Sequence, residues 1–122
     1  FRALTDNATF AGLRGRVVQL PGVPHLFVAD AMELDGQKTS ACDVVFGGGE
    51  ERVVGQVVAC IADIGSMTLA LVVDLLQFVK PFSEHCSIWR LTDTRAAWAA
   101  SGIELPLAWY IGEDANVVVV HL

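Results

Sequence analysis

The 122-residue chain is 53% apolar and 18% charged, which fits one folded domain and excludes intrinsic disorder. Eight Lys and Arg against fourteen Asp and Glu give a net charge of -6. With Lys38 and Lys80 as the only lysines and six scattered arginines, there is no cationic footprint for phosphates. Direct nucleic-acid binding is therefore not expected, and the acidity favours a basic peptide or protein partner, unless the surplus carboxylates serve only to keep an apolar chain in solution.

Seventeen valines favour sheet, and turn residues cut the apolar runs short. Residues 16–20 end at Pro21-Gly22. Residues 25–34 end at Asp35-Gly36, a hairpin signal. Within this run Leu26, Val28, Met32 and Leu34 form an alternating apolar set, with Asp30 as the exception. Residues 39–46 end at the glycines 47–49, and residues 51–64 at Gly65. Residues 66–80 fit two readings. Asp74, Gln77 and Lys80 are spaced for a helix face after Ser66, with Pro81 as the stop. Leu71-Val72-Val73 fits a strand, which the balance favours. Met67–Val79, the longest apolar stretch, is broken by Thr68, Asp74 and Gln77 and is too short and polar to span a bilayer, so no membrane partner is expected.

Residues 85–91 form the next strand, with Trp89 and Leu91 on the face opposite Ile88 and Arg90. Residues 93–101 read as a short helix: a capping Asp93, alanines at helical spacing, and Gly102 at the end. Residues 105–111 run to Gly112. The run Val117–Val120 has no alternation and reads as a strand buried on both faces, or as an edge paired to another chain. The fold class expected is mainly β, a small partly open barrel or sandwich of about seven strands with one short helix. A single β-rich domain over residues 1–122 is expected, as a fragment of a longer protein.

Cys42, Cys60 and Cys86 are an odd, widely spaced set. This is no disulfide framework and no zinc signature, so an intracellular, reducing compartment is expected, with neither metal nor cofactor. Consecutive residues on a strand point apart, so His85 and Cys86 do not form a dyad by themselves. The glycines 47–49 precede Glu50-Glu51 where a phosphate loop needs Lys and Ser/Thr. The pairs Glu50-Glu51 and Glu113-Asp114 read as solvated turn charge. Phe78, Phe82, Trp89, Trp98, Trp109 and Tyr110 crowd the C-terminal third. Such aromatics fill a core, or they cage a methylated ammonium by cation–π attraction with an acid such as Asp74 or Glu84 alongside.

Residues 53–61 (VVGQVVACI), residues 75–84 (LLQFVKPFSE), Leu105-Pro106-Leu107, Ile111-Gly112 and Asn116-Val117-Val118-Val119 together resemble the bromo-adjacent homology (BAH) family of chromatin domains, over about the last 70 residues. Lys80-Pro81 followed by Phe82-Ser83-Glu84 departs from the family's Arg-Pro with a following acid and Thr. The pattern is also similar to a β-rich segment of some transposon-derived proteins. The BAH resemblance implies a non-catalytic reader or docking module, a nuclear location, and in some members an aromatic cage for histone tails. That cage would fall nearest Phe78 and Trp89, with Trp109 or Tyr110 completing it.

The first functional expectation is thus a docking module for basic or methyl-lysine peptides, with Phe78, Trp89, Trp109, Tyr110 and Asp74 as binding residues and no catalytic residues. The alternatives are a small-molecule-binding or catalytic barrel with its ligand among Cys60, Cys86 and the tryptophans, and a homo-oligomerisation domain pairing through the valine strand.

Overall fold

A computed structural model of the chain describes residue 4 and residues 6–34, 36–47 and 53–121. Nine strands follow in order: β1 (Leu13–Gln19), β2 (Leu26–Leu34), β3 (Gln37–Ser40), β4 (Val44–Gly47), β5 (Val53–Asp63), β6 (Thr68–Ser83), β7 (Cys86–Ala99), β8 (Ala108–Ile111) and β9 (Val117–Val120). They form one antiparallel sheet in the order β1-β2-β5-β6-β7-β9-β8, with β3 paired to β2 and β4 to β5. The seven strands of the main path curl into a half-barrel, as the expected partly open barrel requires.

Residues 68–80 are strand, as favoured for this segment: β6 pairs with β5 over Thr68–Leu75 and with β7 from Ala70 to Ser83. The expected helix at 93–101 is absent. β7 runs through to Ala99, and Trp98, Ala97 and Ala96 lie opposite Leu71, Val72 and Val73. A strand as long as β6 needs a partner, and that tertiary demand overrides the helix propensity of four alanines. The helical content here is a single 3-10 turn at Ala100–Gly102. The Asp93 signal marks a bulge. Leu76 pairs with Leu91 and Asp74 with Arg95, so Thr92, Asp93 and Thr94 together face Leu75. The Thr92 hydroxyl donates to the Leu75 carbonyl at 2.7 Å and accepts from the Thr94 N–H at 3.2 Å.

Residues 39–46 are two strands, not one. They break at Cys42, whose φ is 75° and whose N–H donates to the Val57 carbonyl at 2.8 Å. In β2 the buried set is Phe27, Ala29, Ala31 and Met32, the opposite phase from that expected over the first half of the strand. Asp30 faces out and accepts the Arg16 N–H at 2.7 Å across a bulge in β1. Asp35, Gly48, Gly49, Glu50 and Glu51 lie outside the described residues, and with them the turn tip after β2 and the acidic pair after the glycines.

Two cores divide the interior. The larger holds Phe10, Leu13, Phe27, Met32, Val45, Val57, Cys60, Leu71 and Val73, with Trp98 against it. The smaller holds Val44, Phe46, Val54, Leu76, Val117 and Val119, with Trp89 and Trp109 packed on it. Strand β4 separates them, Val45 turned to one and Val44 and Phe46 to the other, so all of its residues are buried. The valine strand β9 lies between β7 and β8 with Val117, Val118 and Val119 buried. It is therefore the strand buried on both faces and not an exposed edge. Both its ladders are occupied by this chain's own strands, which removes the surface that pairing of copies through it required. The edge at this end of the sheet is β8.

Candidate functional site

Cross-strand register sorts the aromatics between two faces. Phe78 pairs with Trp89, Trp89 with Val117 and Val117 with Ile111, which places these four on one face. Trp109, opposite Val119, shares that face, two residues along β8. Lys80, Ile88, Val118 and Tyr110 form the neighbouring row and point the other way. Adjacent residues on a strand face oppositely, so Trp109 and Tyr110 cannot serve one cage.

The five residues expected to bind are therefore not assembled into one site. Phe78 and Trp89 meet edge-to-face, ring centroids 5.5 Å apart, and Phe78 is 51% exposed. Trp89 is a packing residue: it rests on the smaller core and its indole N–H donates to the Ser87 hydroxyl at 2.8 Å. Trp109 rests on the same core. Asp74 lies four residues from Phe78, about 13 Å along a strand, and is held by Arg95, whose Nε donates to its carboxylate at 2.8 Å. It is an ion-paired structural residue, not a wall for a ligand cation. Glu84 approaches His85 at 4.0 Å.

Tyr110 instead lines a groove of about 490 Å³ on its own face, with Phe82, Ile88 and Val118 as apolar floor and Lys80, Glu113, Asp114 and Asn116 as polar rim. Phe82 and Tyr110 are 63% and 51% exposed. Lys80 is on β6, three strands from Tyr110 on β8, or about 14 Å at ordinary strand spacing. The groove is thus cationic at the β6 end and anionic at the β8 end. The turn that follows β8 builds the anionic end. The Gly112 N–H donates to the Asn116 carbonyl at 2.7 Å and the Asn116 N–H to the Glu113 carbonyl at 3.1 Å. Between them Asp114 and Ala115 both take φ of 58°, the left-handed region, uncommon for a residue with a Cβ.

The acids of this chain divide by whether the fold uses them. Asp30 holds the Arg16 N–H, Asp43 the Ser40 N–H, Asp63 the Gly65 N–H, Asp74 the Arg95 guanidinium and Glu33 the Arg14 guanidinium. Glu113 and Asp114 have no such engagement among the described residues. Their pairing was visible in the sequence but read as plain turn charge. The aromatic beside them became visible only once the fold set Tyr110 and Phe82 around one groove.

Of the imidazoles, His85 and His121 are cross-strand neighbours, the His121 N–H donating to the His85 carbonyl at 2.8 Å, with Cys86 beside them opposite Val120. Cys60 is fully buried in the larger core. Burial first, then the nearby Asp43 and Asp30 charges, push its thiol up from 9.0 to about 11, so it is a protonated core residue at neutral pH. Trp98 packs against the core that holds Cys60, while Trp89 and Trp109 pack on the other, so the two thiols and the three tryptophans are not gathered at one place. His121 meets Phe46 edge-on at 6.3 Å. All three cysteines are free. Among the described residues no three His, Cys, Asp or Glu are grouped to hold a metal, and no helix is long and apolar enough to cross a membrane. No protein-family model, curated protein or solved structure matches the chain, so the BAH resemblance stands on the residues that carry it.

Proposed function

We propose that this domain is a non-catalytic docking module that takes a basic peptide side chain at the anionic end of the Tyr110 groove. One observation carries the reading: two carboxylates with no side-chain partner among the described residues, Glu113 and Asp114, line one groove with the exposed rings of Tyr110 and Phe82. An ammonium or guanidinium over an aromatic face gains cation–π attraction, and adjacent carboxylates add Coulomb attraction of the same sign. The net charge of -6 draws such a partner from a distance. The BAH resemblance makes histone tails, unmodified or lysine-methylated, the first peptides to try, and a nuclear chromatin protein the first parent to look for.

The test is fluorescence anisotropy with a panel of labelled basic tail peptides against the domain, Tyr110→Ala, and the double variant Glu113→Gln with Asp114→Asn. All three positions lie outside both cores, so the variants fold. Binding that weakens at least about tenfold in both variants supports the reading. Binding to none of the peptides, or binding indifferent to these residues, overturns it.

A further inference from the structure

The mode of docking is written in strand β8. It ends the sheet path, so among the described residues one of its two ladders is open. The Gly112–Asn116 hydrogen bond continues the β8–β9 ladder. Backbone groups on a strand turn to alternate sides. Tyr110 and Ala108 therefore face β9, and Trp109 and Ile111 turn their N–H and C=O groups to the open side.

Sheet edges are usually blunted by charge, proline or a bulge. The opposite edge obeys this: β1 carries Arg14 and Arg16 and a register break beside Gly15. β8 is Ala-Trp-Tyr-Ile, blunted only by its length of four residues, with no charge, no proline and no bulge, and Ile111 is 56% exposed. Each face of this edge has a recess. On the Tyr110 face lies the acidic groove. On the Trp109 face lies a cleft of about 360 Å³ lined by Val44, Leu105, Pro106, Leu107 and Trp109, with Asp43 and Lys38 at its rim.

We propose that the partner is an extended basic segment that adds to β8 as a further strand. The segment alternates basic residues, which reach Tyr110, Glu113 and Asp114, with apolar residues, which reach Trp109 and Leu105–Leu107. Main-chain bonds would supply affinity and the two recesses the sequence preference. Charge decides against a second copy of this chain as occupant. Two copies would each bring a net charge of -6, and like charges of that size repel where a basic segment is drawn in.

This proposal rests on the docking reading, and the experiment separates the two. The probes are a capped nine-residue peptide of alternating Lys and Val, the same composition with the residues paired (Lys-Lys-Val-Val), and the alternating peptide N-methylated at every second backbone amide, in both phases. Ile111→Pro is the variant on the protein side. It removes an N–H turned away from β9, the setting in which an edge strand accepts proline. The alternating peptide should bind the domain, and the paired one should bind about tenfold more weakly. One methylation phase should abolish binding while the other is tolerated, and Ile111→Pro should weaken binding about tenfold. Binding that needs Glu113 and Asp114 but ignores both N-methylation phases would overturn strand addition and leave the groove. No binding by any peptide would remove both.

Discussion

Trp98 lies across two glycines whose missing side chains make its site. A Cβ on Gly47 would drive into the six-membered ring, and one on Gly55 would sit 3.0 Å from its outer edge and 2.9 Å from the Val73 Cβ. Gly47 does not need left-handed backbone, so on chain entropy alone Gly47→Ala would stabilise the strand by about 0.4–1 kcal/mol. Overpacking reverses the sign: the expected result is a loss of about 1–3 kcal/mol in urea denaturation. In a Trp98→Leu background the same substitution should cost less than half as much, and equal costs in both backgrounds would contradict the packing account. The sequence shows residues 47–49 only as the glycines that end an apolar run, because the reason for Gly47 is the distant ring of Trp98. Asp74 illustrates a related cause, since its partner is 21 residues away in sequence. A carboxylate near aromatics in sequence looks like a cage wall, and only the register shows that it faces Arg95.

At the level of elements, alternation and turn chemistry were legible, since both are local. Pro21-Gly22, Gly36 and Gly65 each lie between strands as expected. The segment Asp93 to Ser101 was not legible, because a capping residue before alanines is the same local signal whether a helix or a bulge follows. Thr92 distinguishes the two outcomes. Its hydroxyl bridges the Leu75 carbonyl and the Thr94 N–H, so Thr92→Val should destabilise the domain by about 0.5–1.5 kcal/mol, the ordinary worth of a satisfied polar pair. Thr92→Ser, which keeps the oxygen, should recover most of that. A helix beginning at Asp93 would give no such difference, and urea midpoints of the two variants decide it. The valine strand illustrates the converse. A run without alternation is compatible with burial or with an edge, and β9 resolved to burial because β8 returns alongside it. That leaves the unprotected edge to a strand whose four residues carried no edge signal.

For the molecule as a whole, the division of the acids between structure and surface sets how a partner is met. Several carboxylates are tied into bulges, turns and ion pairs, while the net charge of -6 still surrounds the sheet with a negative field. Charge at long range governs encounter more than residence. Salt therefore acts on the two rate constants unequally. The Debye length falls from about 10 Å at 0.1 M to about 3 Å at 1 M, shorter than the span of the groove, so steering is lost before contact. Short-range contacts with Tyr110 and main-chain bonds along β8 are screened far less. Stopped-flow mixing of the domain with the alternating Lys-Val peptide should show the association rate falling at least about tenfold between low salt and about 1 M, with dissociation changing only about two- to threefold. Neutralising Glu113 and Asp114 should raise dissociation and leave most of the salt dependence of association in place, since the remaining charge is spread over the chain. If dissociation carried the whole salt effect, attraction would be confined to those two carboxylates and the charge of the domain at large would have no part in recruiting its partner.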